Sequence, residues 1–166
     1  MPEKMAGIRQ ILASLTKYLI MKKKKKLKFS TEKQKAWALF SRFIRLRDAL
    51  ATIGNRRQCK CITCDDVRNI YGVGCMQAGH FIPGRNNAVL FNEEQVSGQC
   101  YVCNKIKNGN WVKYERVMVK RYGRAKVEKM KIDAEKTVKM NTQDMIDLQA
   151  KYKKKIEDLG GFPKNI

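Results

Sequence analysis

Apolar residues recur at three- and four-residue steps in several stretches of the chain, which is the period of an amphipathic helix. This pattern predicts helices over Glu3–Ile20 near the N-terminus and over Thr142–Leu159 near the C-terminus. A third helix is predicted around Trp37, with a capping pattern at Thr31 as its start and Gly54 as its end. Both flanks of the chain are therefore predicted to be helical.

The helical period stops in the central segment 56–110, where cysteine, glycine and asparagine accumulate. Short apolar pieces such as GCMQAGHFI, Gly74–Ile82, are typical of strands or loops. Helical patterns return over Val112–Tyr122 and Ala125–Lys136. The predicted fold class is therefore α+β, with an N-terminal helix and polylysine arm (1–30), a cysteine-rich core with a leading helix (31–124) and a C-terminal helical region (125–166).

The charge balance points to a polyanionic partner. The 166 residues include 36 Lys and Arg against 15 Asp and Glu, which gives a formal net charge of +21. Solubility alone does not require such an excess, and nucleic acid is the commonest partner of so basic a chain, with an anionic membrane surface as the rival. A flexible basic arm is predicted to follow phosphates without reading sequence through Lys22, Lys23, Lys24, Lys25 and Lys26.

The N-terminal segment has neither the pattern of a signal peptide nor that of a membrane-spanning helix. Arg9 and Lys17 interrupt its apolar run, and the lysine cluster follows that run rather than precedes it. We therefore expect a cytoplasmic protein with reduced thiols and no membrane partner. The apolar seam Met5–Leu19 offers a means of forming a homodimer.

The cysteines form two chelating pairs, Cys61-x-x-Cys64 and Cys100-x-x-Cys103, separated by thirty-five residues. Two such pairs complete a tetrahedral four-thiolate site, for which structural Zn²⁺ is the expected ion and an iron–sulfur cluster the minor alternative. Cys59 could compete for the metal, whereas Cys75 is expected to be a small buried apolar residue.

His80 is the only histidine in the chain. If an imidazole acts as a general base in this protein, it must therefore be the ring of His80. The alternative is a histidine that is hydrogen-bonded at the end of a strand and serves structure only. Asn104, directly after Cys103, has a similar pair of interpretations, either a helix cap or a group that faces a functional cleft.

Four stretches in order, CITC, AGHF, LFNEEQ and QCYVCNKIKNGNWVKY, resemble the Rap/NinG recombination nucleases of lambdoid phages. The similarity runs from about Trp37 to the C-terminal helix. It implies an HNH-like ββα-metal core with a four-cysteine zinc site, flanked by several α-helices. It also implies a metal-dependent, structure-specific DNA endonuclease that cleaves branched recombination intermediates, such as Holliday junctions and D-loops, in the bacterial host cell.

The resemblance assigns roles to particular positions. His80 would take the proton from the attacking water, and Asn104 would help to hold a catalytic Mg²⁺ or Mn²⁺ ion. Asn108, four residues later, is expected on the same helical face as Asn104 and joins it as a candidate ligand. Gln77 is a further candidate ligand, and Gln95 stands at the place of the middle asparagine of the HNH pattern. Additional phosphate contacts are expected from Arg85, Lys105 and Lys107.

The sequence departs from the HNH pattern at the acidic metal ligand. Gly79 stands directly before His80, where HNH nucleases commonly carry a carboxylate, and Gln77 stands where the closest family pattern has an aspartate. Neutral side chains bind hard cations less well than carboxylates do. The carboxylates near enough in sequence to compensate are Asp65, Asp66, Glu93 and Glu94. The alternative function is that of a non-catalytic zinc-ribbon DNA-binding protein.

Overall fold

The computed structural model describes residues 28–84 and 86–163. The predicted N-terminal helix Glu3–Ile20 with its dimerisation seam, the basic arm Lys22–Lys26, and Arg85 lie outside the described residues. The remaining predictions can be compared with the structure.

The longest element is helix α1, Phe29–Ile53. It ends as predicted at Gly54, whose φ of 77° lets its amide bond back to Ala49 and Leu50. The predicted start at Thr31 is wrong, since the helix already begins at Phe29 without a side-chain cap. The first turn is anchored instead through the buried Glu32, which accepts hydrogen bonds from Lys35 and Gln149.

Two small antiparallel sheets follow. Strand β1 (Gln58–Lys60) pairs with β2 (Val67–Asn69), and β3 (Gln77–His80) pairs with β4 (Val96–Gln99). In the second sheet Gln77 lies opposite Gln99 and His80 opposite Val96. A short helix, α2 (Asn87–Leu90), lies in the connection between β3 and β4.

The chain after β4 forms two distinct turns before it becomes a regular helix. A π-helical turn covers Val102–Ile106, and a short turn covers Asn108–Asn110. Helices α3 (Trp111–Tyr122), α4 (Arg124–Ala134) and α5 (Thr142–Asp158) complete the described structure. The predicted α+β class is thus confirmed, and the three C-terminal helices start and end within two residues of their predicted bounds.

Two apolar clusters hold these elements together. In the larger one α5 packs on α1, and the rings of Phe40 and Tyr152 lie with their centroids 4.9 Å apart. In the smaller one Phe81, at the end of β3, packs against Tyr114 and Met118 of α3. Helix α3 is thereby fixed against the hairpin of β3 and β4.

No helix in the described ranges is long and apolar enough to cross a membrane.

Candidate functional site

The two cysteine pairs meet in the structure. The sulfurs of Cys61, Cys64, Cys100 and Cys103 all lie within 4.8 Å of one another, and the Cys64 and Cys100 sulfurs are 3.7 Å apart. Four thiolates at a Zn–S distance of about 2.3 Å in a tetrahedron would be about 3.8 Å from each other. The donor set and its spacing therefore fit a zinc ion, and the predicted clustering of these cysteines is confirmed.

Hydrogen bonds to the sulfurs prepare this cluster for a cation. The Cys100 amide donates to the Cys61 sulfur at 3.3 Å, and the Asn110 side chain donates to the Cys103 sulfur at 3.5 Å. Burial raises the pKa of Cys103, but hydrogen bonds from Thr63 and Asn110, together with those of the other thiols, outweigh it and lower the pKa to about 7. Sequence reasoning had not singled out Thr63 or Asn110.

The two remaining cysteines lie apart from the metal cluster. Cys59 is fully buried under β4, where a Cβ added to Gly98 would come within 2.7 Å of its sulfur. Burial, reinforced by the Asp48 carboxylate, raises the pKa of Cys59 to about 12 and keeps it a neutral thiol. Cys75 is only half-buried, and Arg45 donates to its sulfur at 3.4 Å.

A cleft of about 190 Å³ brings together three of the predicted catalytic and ion-binding residues. His80 comes from the end of β3, Asn104 from the π-helical turn and Asn108 from the turn after it. Trp37 of α1 and Trp111, the first residue of α3, also line this cleft. The imidazole and both amides therefore face one space.

His80 is held in a defined orientation. Its Nε2 lies 3.2 Å from the Leu90 carbonyl oxygen, and its ring stacks on that of Trp37 at a centroid distance of 5.3 Å and an angle of 14°. Because a carbonyl only accepts hydrogen bonds, we assign the proton of the neutral ring to Nε2. Nδ1 then carries the lone pair that a general base requires.

Asn104 and Gln77 contact each other directly, since the Asn104 amide donates to Gln77 Oε1 at 2.6 Å. Both side chains line a second pocket of about 280 Å³, together with Arg45 and Cys75. The second pocket shares Trp37, Ala78, Asn104 and Lys105 with the first cleft. The two spaces form one continuous surface, which we call the His80 cleft below.

Asn108 reaches the cleft by a different route from the one predicted. The chain does not continue as one helix from Asn104, because the Lys107 amide closes a π-turn on Val102 and Asn108, Gly109 and Asn110 then take φ values of 46°, 85° and 48°. The predicted sharing of a helical face is therefore wrong. Three successive residues with left-handed φ values interrupt the helix at this point, and Asn108 still lines the cleft.

The place of the missing carboxylate is filled by another side chain. A Cβ added to Gly79 would collide with the amide of Gln99, a fully buried residue across the hairpin. Gln99 donates to the Gly109 carbonyl at 2.7 Å and to the Thr63 hydroxyl at 3.3 Å. It thus ties the hairpin to the first cysteine knuckle and to the turn that carries Asn108, a role that no sequence motif indicated.

No carboxylate lines the His80 cleft among residues 28–84 and 86–163. The four acidic residues proposed to compensate are engaged elsewhere: Asp65 with Lys60 at 3.9 Å, Asp66 with Arg68 at 2.8 Å, Glu93 with Lys155 at 2.6 Å and Glu94 with Lys126 at 2.6 Å. For a hard divalent ion the described cleft therefore offers the amide oxygens of neutral side chains.

Gln95 is placed differently from the other predicted catalytic residues. Its side chain is buried, with no hydrogen-bond partner for Oε1 in the described structure, and it does not line the cleft. Its backbone carbonyl accepts the Phe81 amide at 2.7 Å, directly after His80. Gln95 therefore extends the pairing of the hairpin beyond His80.

Two of the predicted phosphate-binding lysines are described. Lys105 is exposed and lines the His80 cleft, and Lys107 is exposed next to Asn108. Arg45 was not predicted, but it lines the same cleft with its guanidinium bonded to the Ile70 carbonyl. Positive charge therefore borders the cleft on the π-helical turn and on α1.

A model of the family described as "Bacteriophage Lambda NinG protein" matches residues 10–161 of the chain. The chain belongs to the NinG family. Protein ninG of Salmonella phage P22 is 31% identical over 121 residues, which cover 70% of this chain and 52% of the relative. The ninG proteins of Escherichia phage lambda and Escherichia phage 933W are each 29% identical over 121 residues, with the same coverage.

This NinG-family chain spans about half the length of the curated relatives it matches. No solved structure matches it. The predicted membership in the NinG family of lambdoid phages is confirmed, and the chemistry of the chain has to be argued from the site.

Proposed function

We propose that this NinG-family chain is a metal-dependent, structure-specific endonuclease that hydrolyses phosphodiesters in branched DNA such as Holliday junctions and D-loops. The observation that carries the proposal is the cleft in which His80 faces Asn104 and Asn108. The order of hairpin, cysteine knuckle and helical turn supports the HNH-like (ββα-metal) interpretation. The preference for branched DNA rests on the resemblance to the Rap/NinG nucleases.

In this proposal His80 is the general base. Its Nδ1 accepts a proton from the water that attacks phosphorus, while the Leu90 carbonyl holds Nε2 and stabilises the charged ring. Lys105 neutralises part of the phosphate charge from the wall of the cleft. The water, the phosphate and the ring must lie within hydrogen-bond reach of one another for this transfer.

A divalent ion would be held by amide oxygens of Asn104, Gln77 and Asn108. Mg²⁺ or Mn²⁺ supplies neutralisation of charge on the phosphate and on the leaving oxygen. The Asn104 amide nitrogen donates to Gln77 Oε1, so the Asn104 amide would turn over for both oxygens to face one ion. Neutral ligands predict weak binding of the ion, with DNA phosphate oxygens completing the site.

A structural zinc ion would fix this arrangement. The first cysteine pair lies beside β2, and the second leads directly from β4 into the turn that carries Asn104. One ion bound by both pairs closes the intervening segment and reduces the entropy of the unfolded chain. We therefore assign Zn²⁺ to structure and the amide-lined cleft to chemistry.

The second candidate function is that of a non-catalytic zinc-ribbon DNA-binding protein. It is favoured by the absence of any carboxylate from the described cleft. The contacts of His80 with Leu90 and Trp37 are also compatible with a structural role. In this case the protein would bind branched DNA and leave it intact.

Cleavage of a four-way junction and of a linear duplex, each with Mg²⁺, Mn²⁺ or EDTA, separates the two functions. We expect the wild type to cut the junction in a metal-dependent way. His80→Gln keeps a hydrogen-bond donor for the Leu90 carbonyl but has no basic nitrogen, so it should retain zinc and junction binding and lose cleavage. Equal cutting by both proteins would exclude His80 as the base, and no cutting by the wild type would favour the second candidate.

A further inference from the structure

A groove lies away from the His80 cleft. It has a volume of about 940 Å³ and runs between α1 and α3, with the first cysteine knuckle, residues 61–63, in its wall. It shares no lining residue with the His80 cleft. Helix α3 connects the two sites, since Trp111 lines the cleft and Lys113–Tyr122 borders the groove.

The acidic residues of the groove are already balanced by basic partners. Asp48 pairs with Arg47 at 2.7 Å, and Glu94 pairs with Lys126 at 2.6 Å. Glu93 pairs with Lys155. The remaining carboxylate, on Asp65, lies 3.9 Å from Lys60. The four carboxylates therefore contribute little net negative charge to the groove.

The basic residues of α3 have no such partners. Its exposed side chains Lys113, Arg116, Lys120 and Arg121 line the groove. None of them forms an ion pair with a carboxylate in the part of the chain that the structure describes. The opposite face of α3 is fixed in the core through Tyr114 and Met118. Helix α3 therefore presents a row of basic side chains without acidic partners to the groove, and its other face is fixed in the core.

The spacing of these charges suits a nucleic acid backbone. Lys113 and Lys120 are seven residues apart, which corresponds to about 10 Å along a helix axis. One strand of a DNA duplex advances about 3.4 Å for each phosphate, so the row spans about three phosphates. A regularly charged polyanion therefore matches the basic face of α3 better than a single small anion does.

We propose that the groove between α1 and α3 is a second DNA-binding surface, which holds an arm of a branched substrate other than the arm in the His80 cleft. This inference rests on the proposed function above, from which it takes branched DNA as the substrate. Because the first knuckle borders the groove and the turn after the second knuckle borders the cleft, two DNA segments would be held on different walls of the metal site. Recognition of a branch requires such simultaneous contact with two segments.

Binding without added Mg²⁺ or Mn²⁺ tests the groove without cleavage and leaves the structural zinc in place. The groove variant Lys113→Gln/Lys120→Gln is compared with a control variant, Lys153→Gln/Lys154→Gln, which removes the same charge from exposed positions of α5 outside both sites. Affinity is measured for a four-way junction and for a linear duplex. We expect the groove variant to lose about tenfold or more for the junction, and less than about threefold for the duplex.

The control variant should change both affinities equally and slightly. Equal losses of the groove variant for junction and duplex, or no loss at all, would overturn the second-arm proposal. Zinc content shows whether each variant is folded, and Arg116→Gln/Arg121→Gln provides an independent groove variant if the first one fails to fold.

This experiment separates the groove from the proposed catalysis. A wild type that binds the junction through the groove but never cuts it would remove the nuclease proposal and leave the second surface intact. Junction cutting that is unaffected by the groove variants would remove the second surface alone. A wild type without affinity for junctions would overturn both.

Discussion

At the scale of single residues, the candidate ion ligands of the His80 cleft are neutral amides, whereas an ordinary metal-dependent nuclease site contains carboxylates. Gly79 cannot accept a side chain because the Gln99 amide occupies the adjacent space. Gln77 therefore takes the position nearest to Asn104 on the strand, with a contact of 2.6 Å. Activity at this site depends on whether neutral amides and substrate phosphates together retain a divalent ion.

The Gln77→Glu variant tests this dependence. It keeps an oxygen acceptor for the Asn104 amide at the same chain length and adds a negative charge. We expect tighter Mn²⁺ binding, measured by electron paramagnetic resonance, and faster junction cleavage at limiting Mn²⁺, because a carboxylate is a better ligand for a hard cation.

The matched control is Gln58→Glu, which adds the same charge at an exposed position of β1. It should leave Mn²⁺ affinity unchanged. If both variants behave alike, or if Gln77→Glu fails to strengthen Mn²⁺ binding, Gln77 does not belong to the ion site.

At the scale of elements, the four-cysteine cluster joins the two sheets to the turns that form the cleft. The Asn110 side chain and the backbone of Cys100 donate to ligand sulfurs, and Gln99 donates to Thr63 between the first pair of ligands. Each sheet has only two short strands, and such sheets are marginal on their own in water. The metal is therefore expected to stabilise the whole central region.

The Cys103→Ser variant should lose most of its bound zinc and unfold at a lower temperature than the wild type. Both effects follow from the loss of one of the four clustered thiolates. Structural zinc sites in small peptides bind their ion with a free energy of about 10–16 kcal/mol, which contributes to the stability of the fold. Metal content by atomic emission and thermal unfolding by circular dichroism measure the two effects. Cys75→Ser is the control. Cys75 lies outside the cluster, so this variant should keep its bound zinc. Full zinc occupancy of Cys103→Ser would contradict the assignment.

The elements also show which features a sequence can predict. The clustering of the four cysteines was predicted because each pair is local and its spacing alone defines a knuckle. Asn104 was placed correctly beside the second knuckle for the same reason. Helical periodicity predicted that Asn108 shares a helical face with Asn104. This prediction is wrong because Asn108, Gly109 and Asn110 adopt left-handed conformations. The Asn-Gly pair in this stretch was the signal for a turn.

Features that depend on packing between distant segments were not predictable. Gln99 is one of many polar residues in the sequence, and its role follows only from its position across from Gln77 and above Gly79. The basic groove forms between α1 and α3, and no sequence motif encodes this arrangement of the two helices. Sequence patterns therefore predicted the metal ligands and the helices, whereas the contacts that shape the sites required the structure.

At the scale of the whole molecule, charge dominates the expected behaviour. The formal net charge of the chain is +21, and basic residues line the cleft and the groove and form the Lys22–Lys26 arm, which lies outside the described residues. Each phosphate that a protein neutralises on duplex DNA adds about 0.9 to the slope of log affinity against log salt. DNA affinity should therefore fall steeply as salt increases.

Replacing Lys22, Lys23, Lys24, Lys25 and Lys26 with glutamine should reduce this salt slope by up to about 4.5, if every lysine contacts a phosphate. The loss should be similar for junction and duplex, because contacts between lysines and phosphates depend on charge and are independent of sequence. Fluorescence anisotropy at several salt concentrations provides the measurement. An unchanged slope would show that the arm does not touch DNA.

The central claim is that His80 activates water for attack on branched DNA. Its most direct test is the single-turnover cleavage rate of a four-way junction in Mn²⁺ by the wild type and by His80→Gln, both shown to hold zinc. A general base contributes about 10²–10⁴-fold to the rate, so the variant should be slower by at least that lower factor while its junction affinity stays the same. Equal rates for the two proteins would contradict the account.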